Sequence, residues 1–139
     1  MPLPKLVPSL VVQYEYKWER LKDRPNADKE HPSCVVVTLS KDEKDHVFYL
    51  PISHVPPDGK QIGYLLPDGV KKAAGLDSAP QWIIVSECNR DVWGTDLRTL
   101  PGQPGRFHYG HLPPGFFKKI RDEFLTLVRA NKVQMIRRF

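Results

Sequence analysis

Ser53 and His54 stand together where the apolar run HVFYLPI gives way to Val55-Pro56-Pro57. An imidazole at a strand-to-loop junction can meet a cleft and pass protons near neutral pH, and the hydroxyl beside it can donate a hydrogen bond. The same two side chains could equally do no more than bond the backbone of the turn. Arg20, Lys22, Arg24 and Lys29 crowd one polar stretch. An arginine there could hold a phosphate bidentately or meet developing negative charge. Glu19, Asp23, Asp28 and Glu30 interleave with these cations, as in a solvated loop.

Glu87, Asn89, Arg90 and Asp91 follow the run QWIIVS, with Asp96 and Arg98 shortly after. Polar groups at the end of a buried strand often converge on a pocket, although an Asp and an Arg two residues apart also serve as a loop clip. Trp93 beside Gly94 could stack a base or plug the core. His108 and His111 flank Tyr109-Gly110, and Cys34 and Cys88 are the two cysteines. Neither pair has metal-ligand spacing, so no metal and no cofactor is expected.

These residues must be held by short elements, because 14 prolines and 9 glycines punctuate the chain. Val11–Trp18 and His46–Ile52 read as strands from their β-branched and aromatic content, and Cys34–Leu39 and Gln81–Ser86 from continuous apolar runs. Lys41–Asp45 is a charged turn that makes a hairpin of the second and third strands. Glu19–Ser33 is a long polar loop, of a length that is often functional. Gln61–Leu66 is a weaker strand. Pro67–Ala74 forms one or two helical turns, with Gly75 at the C-terminal cap. Residues 89–106 are turn-rich, and His108-Tyr109 adds a short strand. One long helix starts near Pro113 or Pro114 and runs to about Arg129, with Phe117, Ile120, Phe124, Leu127 and Val128 on one stripe.

The 139 residues suffice for one domain with one sizeable core. We take residues 1–139 as a single domain with a core of about 10–130 and a basic tail at 131–139. With 40% hydrophobic and 27% charged residues, wholesale disorder is not expected. Apolar runs are far too short for a membrane span, and the N-terminus lacks the pattern of a secretory signal. A reduced, cytoplasmic setting is the default. The net charge of +5 has a location: the segment from Phe117 to Phe139 holds seven basic residues against two acidic ones. Such a segment attracts phosphate or an acidic partner, or simply solubilises a face.

YEYKW, CVVVTL, YLPISHVPP, VKKAAGLD, QWIIVSECNRDVW, Asp96-Leu97-Arg98 and YGHLPPGFFKKIR, taken in order over about Tyr14 to Arg121, resemble the PemK/MazF family of toxins from bacterial toxin-antitoxin pairs. The resemblance implies a mainly β fold, a small SH3-like barrel with a C-terminal helix, working as a homodimer. It implies a growth-inhibiting endoribonuclease that needs no metal and cuts single-stranded RNA by 2'-hydroxyl attack, leaving a 2',3'-cyclic phosphate. Its implied partners are an antitoxin whose acidic disordered tail blocks the site and, for the pair, operator DNA.

Ser53 matches the hydroxyl residue the family places after the Val-rich strand, with His54 beside it. The family's Arg-Pro pair before that strand reads Pro32-Ser33 here, while KDRP occurs earlier, at Lys22–Pro25. The expected catalytic set is therefore Arg24, Ser53 and His54, with Arg20, Glu87, Asn89, Trp93, Asp96 and Arg98 shaping the RNA pocket. The alternative is a catalytically weakened barrel that binds nucleic acid or an antitoxin-like peptide. A third reading is a relative of the fold that inhibits a protein target such as a topoisomerase.

Overall fold

The computed structural model describes residues 3–23 and 29–139. It is mainly β: eight strands in one bent, open sheet, with two helices. The strands are β1 (Leu10–Tyr16), β2 (Lys29–Lys41), β3 (Lys44–Ser53), β4 (Gly63–Leu65), β5 (Trp82–Ile84), β6 (Glu87–Val92), β7 (His108–His111) and β8 (Gln134–Arg137); the helices are α1 (Asp68–Ala73) and α2 (Pro114–Arg129). The main order is β4-β5-β3-β2-β1-β7, antiparallel throughout. β6 joins the free flank of β3, and β8 pairs with β6 in parallel.

Period-2 alternation sorts β1 onto two cores. Leu10, Val12, Tyr14 and Tyr16 point into one cluster with Trp18, Val47 and Tyr49. Val11 points the other way, into a cluster with Leu50, Ile52 and Ile83 that α2 covers through Phe117, Ile120, Phe124 and Leu127. The apolar spacing of α2 therefore does what the sequence predicts, with one exception: Val128 is 39% exposed. At 100° per residue it sits at the margin of a stripe already filled by Phe124 and Leu127.

β3 is long enough to serve two partners on one flank. His46–Tyr49 pair with β6, and Ile52 and Ser53 pair with β5. The β2–β3 hairpin turns on Asp42 and Glu43, both with positive φ (53° and 62°), the twist a two-residue hairpin requires. Gly75 has φ +76°, and a Cβ there would stand 3.3 Å from the Tyr109 carbonyl, so glycine ends α1 where β7 passes close by.

Four expectations need correction. The polar stretch Glu19–Ser33 is not one long loop: Glu19–Leu21 form a 3-10 turn, and β2 already begins at Lys29. Its polar N-terminal part pairs with β1, Glu30 opposite Glu15, so neighbouring-strand hydrogen bonds override its composition. Asn89–Val92, the start of the stretch 89–106 expected to be turn-rich, belongs instead to the strand Glu87–Val92, because its backbone pairs with β3 and β8. The Gln81–Ser86 strand contracts to Trp82–Ile84. Residues 131–139 are not a free tail, since β8 closes the edge of β6; that pairing is also the one parallel exception to an antiparallel sheet. Among the described residues, no helix is long and apolar enough to cross a membrane.

The bent sheet brings β1 and β6 face to face, and side chains join them. Tyr14 donates to Asp91 at 2.8 Å and Tyr16 to Glu87 at 3.2 Å. The amide of fully buried Asn89 accepts from the Lys17 N–H and donates to the Lys17 carbonyl, both at 2.8 Å. It thereby completes the backbone bonding of Lys17 as a ladder partner would. Asn89→Ala leaves both groups without that partner, so urea unfolding should show a loss of about 3 kcal/mol. Phe124→Ala should cost about 3–5 kcal/mol, and Val128→Ala less than about 0.5 kcal/mol. A loss below about 1 kcal/mol for Asn89→Ala would show that the amide does not hold the flanks.

Candidate functional site

β3 ends at Ser53, which is buried and pairs with Trp82. Its hydroxyl accepts the Val55 N–H at 2.9 Å. This local turn brings His54 to the surface and leaves the Ser53 O–H proton available to donate. His54 Nε2 lies 3.1 and 3.3 Å from the two oxygens of Asp77. Asp77 is itself fixed, because its Oδ1 accepts the Ala79 N–H at 2.9 Å and the amide of buried Gln81 at 3.1 Å. The pair is open to solvent, its side chains 52% and 62% exposed. Such a pair contributes at most about 1 kcal/mol to stability. Its chemical effect is larger: a carboxylate on one ring nitrogen orients the imidazole and leaves Nδ1 to exchange a proton with a bound molecule.

Tyr109, on β7, senses the charge of Asp77. Burial, followed by the charges of Asp77 and Glu30, holds its phenol above the ordinary tyrosine range, and its hydroxyl donates to Gln13 at 3.0 Å. Neither Asp77 nor Tyr109 stands out in the sequence as a site residue. The one local signal for Asp77 is an Asp just past a helix-capping glycine, where its side chain closes an Asx turn. Its partner lies 23 residues away and becomes visible only once β3 and α1 are placed.

Arg20 and Glu87, far apart in sequence, line one cavity of about 350 Å³ with Glu19, Asp58, Lys60, Gln61, Ser86 and Gln134. Glu87 is 5% exposed. Its Oε2 accepts the Tyr16 hydroxyl and the Glu19 N–H (3.2 and 3.1 Å), and its Oε1 accepts the Gln61 amide at 3.1 Å. Arg20 lies over the Trp18 ring, 5.0 Å from its centroid.

The structure places the remaining candidates elsewhere. Asn89 is occupied with Lys17, and it accepts from Arg138 at 3.2 Å. Asp96, with φ +59°, accepts from Arg138 at 3.0 Å, while Arg98 pairs with Glu15 and stands 3.9 Å from Asp96. These groups join β1 to the segments beside it. Trp93 packs partly buried against the second core cluster. Arg24 lies outside the described residues. Among the described residues, no three His, Cys, Asp or Glu side chains gather as a metal would need.

Behind this network, burial raises the Asp91 carboxyl above its usual range, against the hydrogen bonds from Tyr14 and the Val92 N–H that lower it. A carboxyl whose folded pKa exceeds the unfolded one favours the native state most when protonated. Its contribution therefore declines as pH rises from about 3.9 through the folded value, and is level beyond. Relative to the parent, Asp91→Asn should lose that decline: urea unfolding at pH 4 and pH 7 should give the parent the less favourable change. An equal change in both proteins would contradict the raised carboxyl.

Comparison with protein-family models, with curated proteins and with solved structures finds no match to this chain.

Proposed function

We propose that the protein is a toxin-type endoribonuclease that cleaves single-stranded RNA by 2'-hydroxyl attack, with His54 as the proton-transfer residue. The observation that supports this reading is the exposed His54–Asp77 pair, just past Ser53 at the end of β3. Attack of a 2'-oxygen on phosphorus requires a proton to leave that oxygen, a proton to reach the departing 5'-oxygen, and donors for the phosphorane. His54, oriented by Asp77, gives a proton to the departing 5'-oxygen, while the proton of the 2'-hydroxyl passes to water. Ser53 donates to a phosphoryl oxygen, and Arg24 supplies the cation. The PemK/MazF resemblance supports the same assignment for Ser53 and extends it to an SH3-like barrel, a homodimer, an antitoxin with an acidic tail and operator DNA. The basic C-terminal segment suits an acidic partner, and that attraction weakens as salt rises.

A second reading, a non-catalytic binding module for nucleic acid or a peptide, is favoured by one observation. Asn89, Asp96 and Arg98, expected to shape the RNA pocket, form bonds within the scaffold instead.

The test is cleavage of a mixed RNA by the parent and by His54→Ala, Asp77→Asn, Ser53→Ala and Arg24→Ala, each checked for folding by circular dichroism. His54→Ala should lose on the order of 100-fold or more in rate, and Ser53→Ala less. Asp77→Asn should lower the rate less than His54→Ala, because it removes the group that orients the imidazole and keeps the imidazole itself. Parent-like rates in all four would remove this site, and a parent that cleaves no RNA with or without magnesium would favour the binding module.

A further inference from the structure

The cavity shared by Arg20 and Glu87 is lined by both carboxylate acceptors and cationic donors. Glu87 is a buried carboxylate set into its wall. Oε2 is anchored by the Tyr16 hydroxyl and the Glu19 N–H, which fixes the plane of the group. Oε1 is held by one bond, from Gln61, whose loop (58–61) is largely exposed. Oε2, with two bonds, is filled, so a ligand able to donate twice can replace Gln61 and use both lone pairs of Oε1. Around the carboxylate stand two exposed cations, Arg20 and Lys60, and two further acids, Glu19 and Asp58. Glu19 is paired with Lys22 at 2.8 Å. With three acids to two bases, the lining does not suit a phosphate; it suits a neutral group that offers donors to the acids and an acceptor to a cation.

We propose that this cavity is a guanine-selective subsite, with Glu87 accepting from the N1–H and N2–H of the base and Arg20 or Lys60 donating to O6. The proposal rests on the RNA reading. The Watson–Crick edge of guanine carries two adjacent donors and one acceptor. Uracil offers one donor between acceptors, and adenine and cytosine each offer one donor beside an acceptor that would face the carboxylate. Single-stranded RNA is read at these edges, and a site built around hydrogen bonds strongly rejects ligands that lack them. The volume of about 350 Å³ admits a purine.

The test is calorimetric titration of the full chain with GMP, AMP, CMP and UMP. GMP should bind at least tenfold tighter than the other three. Glu87→Gln should abolish that preference, and Arg20→Ala with Lys60→Ala should weaken GMP about tenfold. These last two side chains are exposed, so their variants keep the question open if Glu87→Gln fails to fold. GMP binding no tighter than AMP, or unchanged in the Arg20→Ala, Lys60→Ala protein, would overturn the subsite. RNA cleaved without regard to guanine would overturn it while leaving the nuclease standing. A GMP preference in a protein that cleaves nothing would support the subsite and overturn the nuclease.

Discussion

The fold depends on one amide. β1 and β6 are separated by β2 and β3 in the hydrogen-bonded order, yet Asn89 bonds both backbone groups of Lys17. A buried N–H and carbonyl without partners would each cost about 1–3 kcal/mol, so the bend in the sheet and the burial of Asn89 depend on each other. Arg138 reinforces the junction from the far end of the chain, donating to the Glu15 carbonyl at 2.8 Å as well as to Asn89 and Asp96. The last strand, β8, is thereby part of the closure.

This closure divides the polar residues into two kinds. Those facing the interior of the bend, Glu87, Asn89 and Asp91, are tied to Tyr16, Lys17 and Tyr14 and make the geometry rigid. Those at its rims keep capacity for a ligand. At one rim, β3 runs out at Ser53 and the turn brings out His54 against Asp77. At another, Glu87 keeps one oxygen toward the Arg20 cavity. Under the proposed function, a sheet that fixes the groups at its strand ends spares them reordering, on which catalytic gain depends.

Much of this was legible in the residues. The apolar run VVV, the β-branched and aromatic content of HVFYLPI and the spacing of Phe117, Ile120, Phe124 and Leu127 carry local signals that tertiary packing then uses. β6 was not legible, because Glu-Cys-Asn-Arg-Asp reads as polar and turn-like. Its strand character comes from backbone ladders with β3 and β8, some 40 positions away on either side, and its inward polar groups are met by Lys17 and Tyr14, more than 70 positions away, which no window of sequence can contain. The same holds for β8, whose basic residues suggest a solvated tail until Arg138 is seen within reach of Asp96. Ser53 and His54 could be singled out by their place at a strand end, and Arg20 and Glu87 by charge. That the second pair shares a cavity and that the first recruits Asp77 follow from topology.

The central claim is that this scaffold cleaves RNA through its own side chains. The most direct measurement is the chemistry of the ends left when purified protein is incubated with single-stranded RNA in EDTA. The account predicts upstream fragments ending in a 2',3'-cyclic phosphate and downstream fragments beginning with a 5'-hydroxyl. Fragments with 3'-hydroxyl and 5'-phosphate ends, or cleavage that appears only when a divalent metal is added, would contradict it.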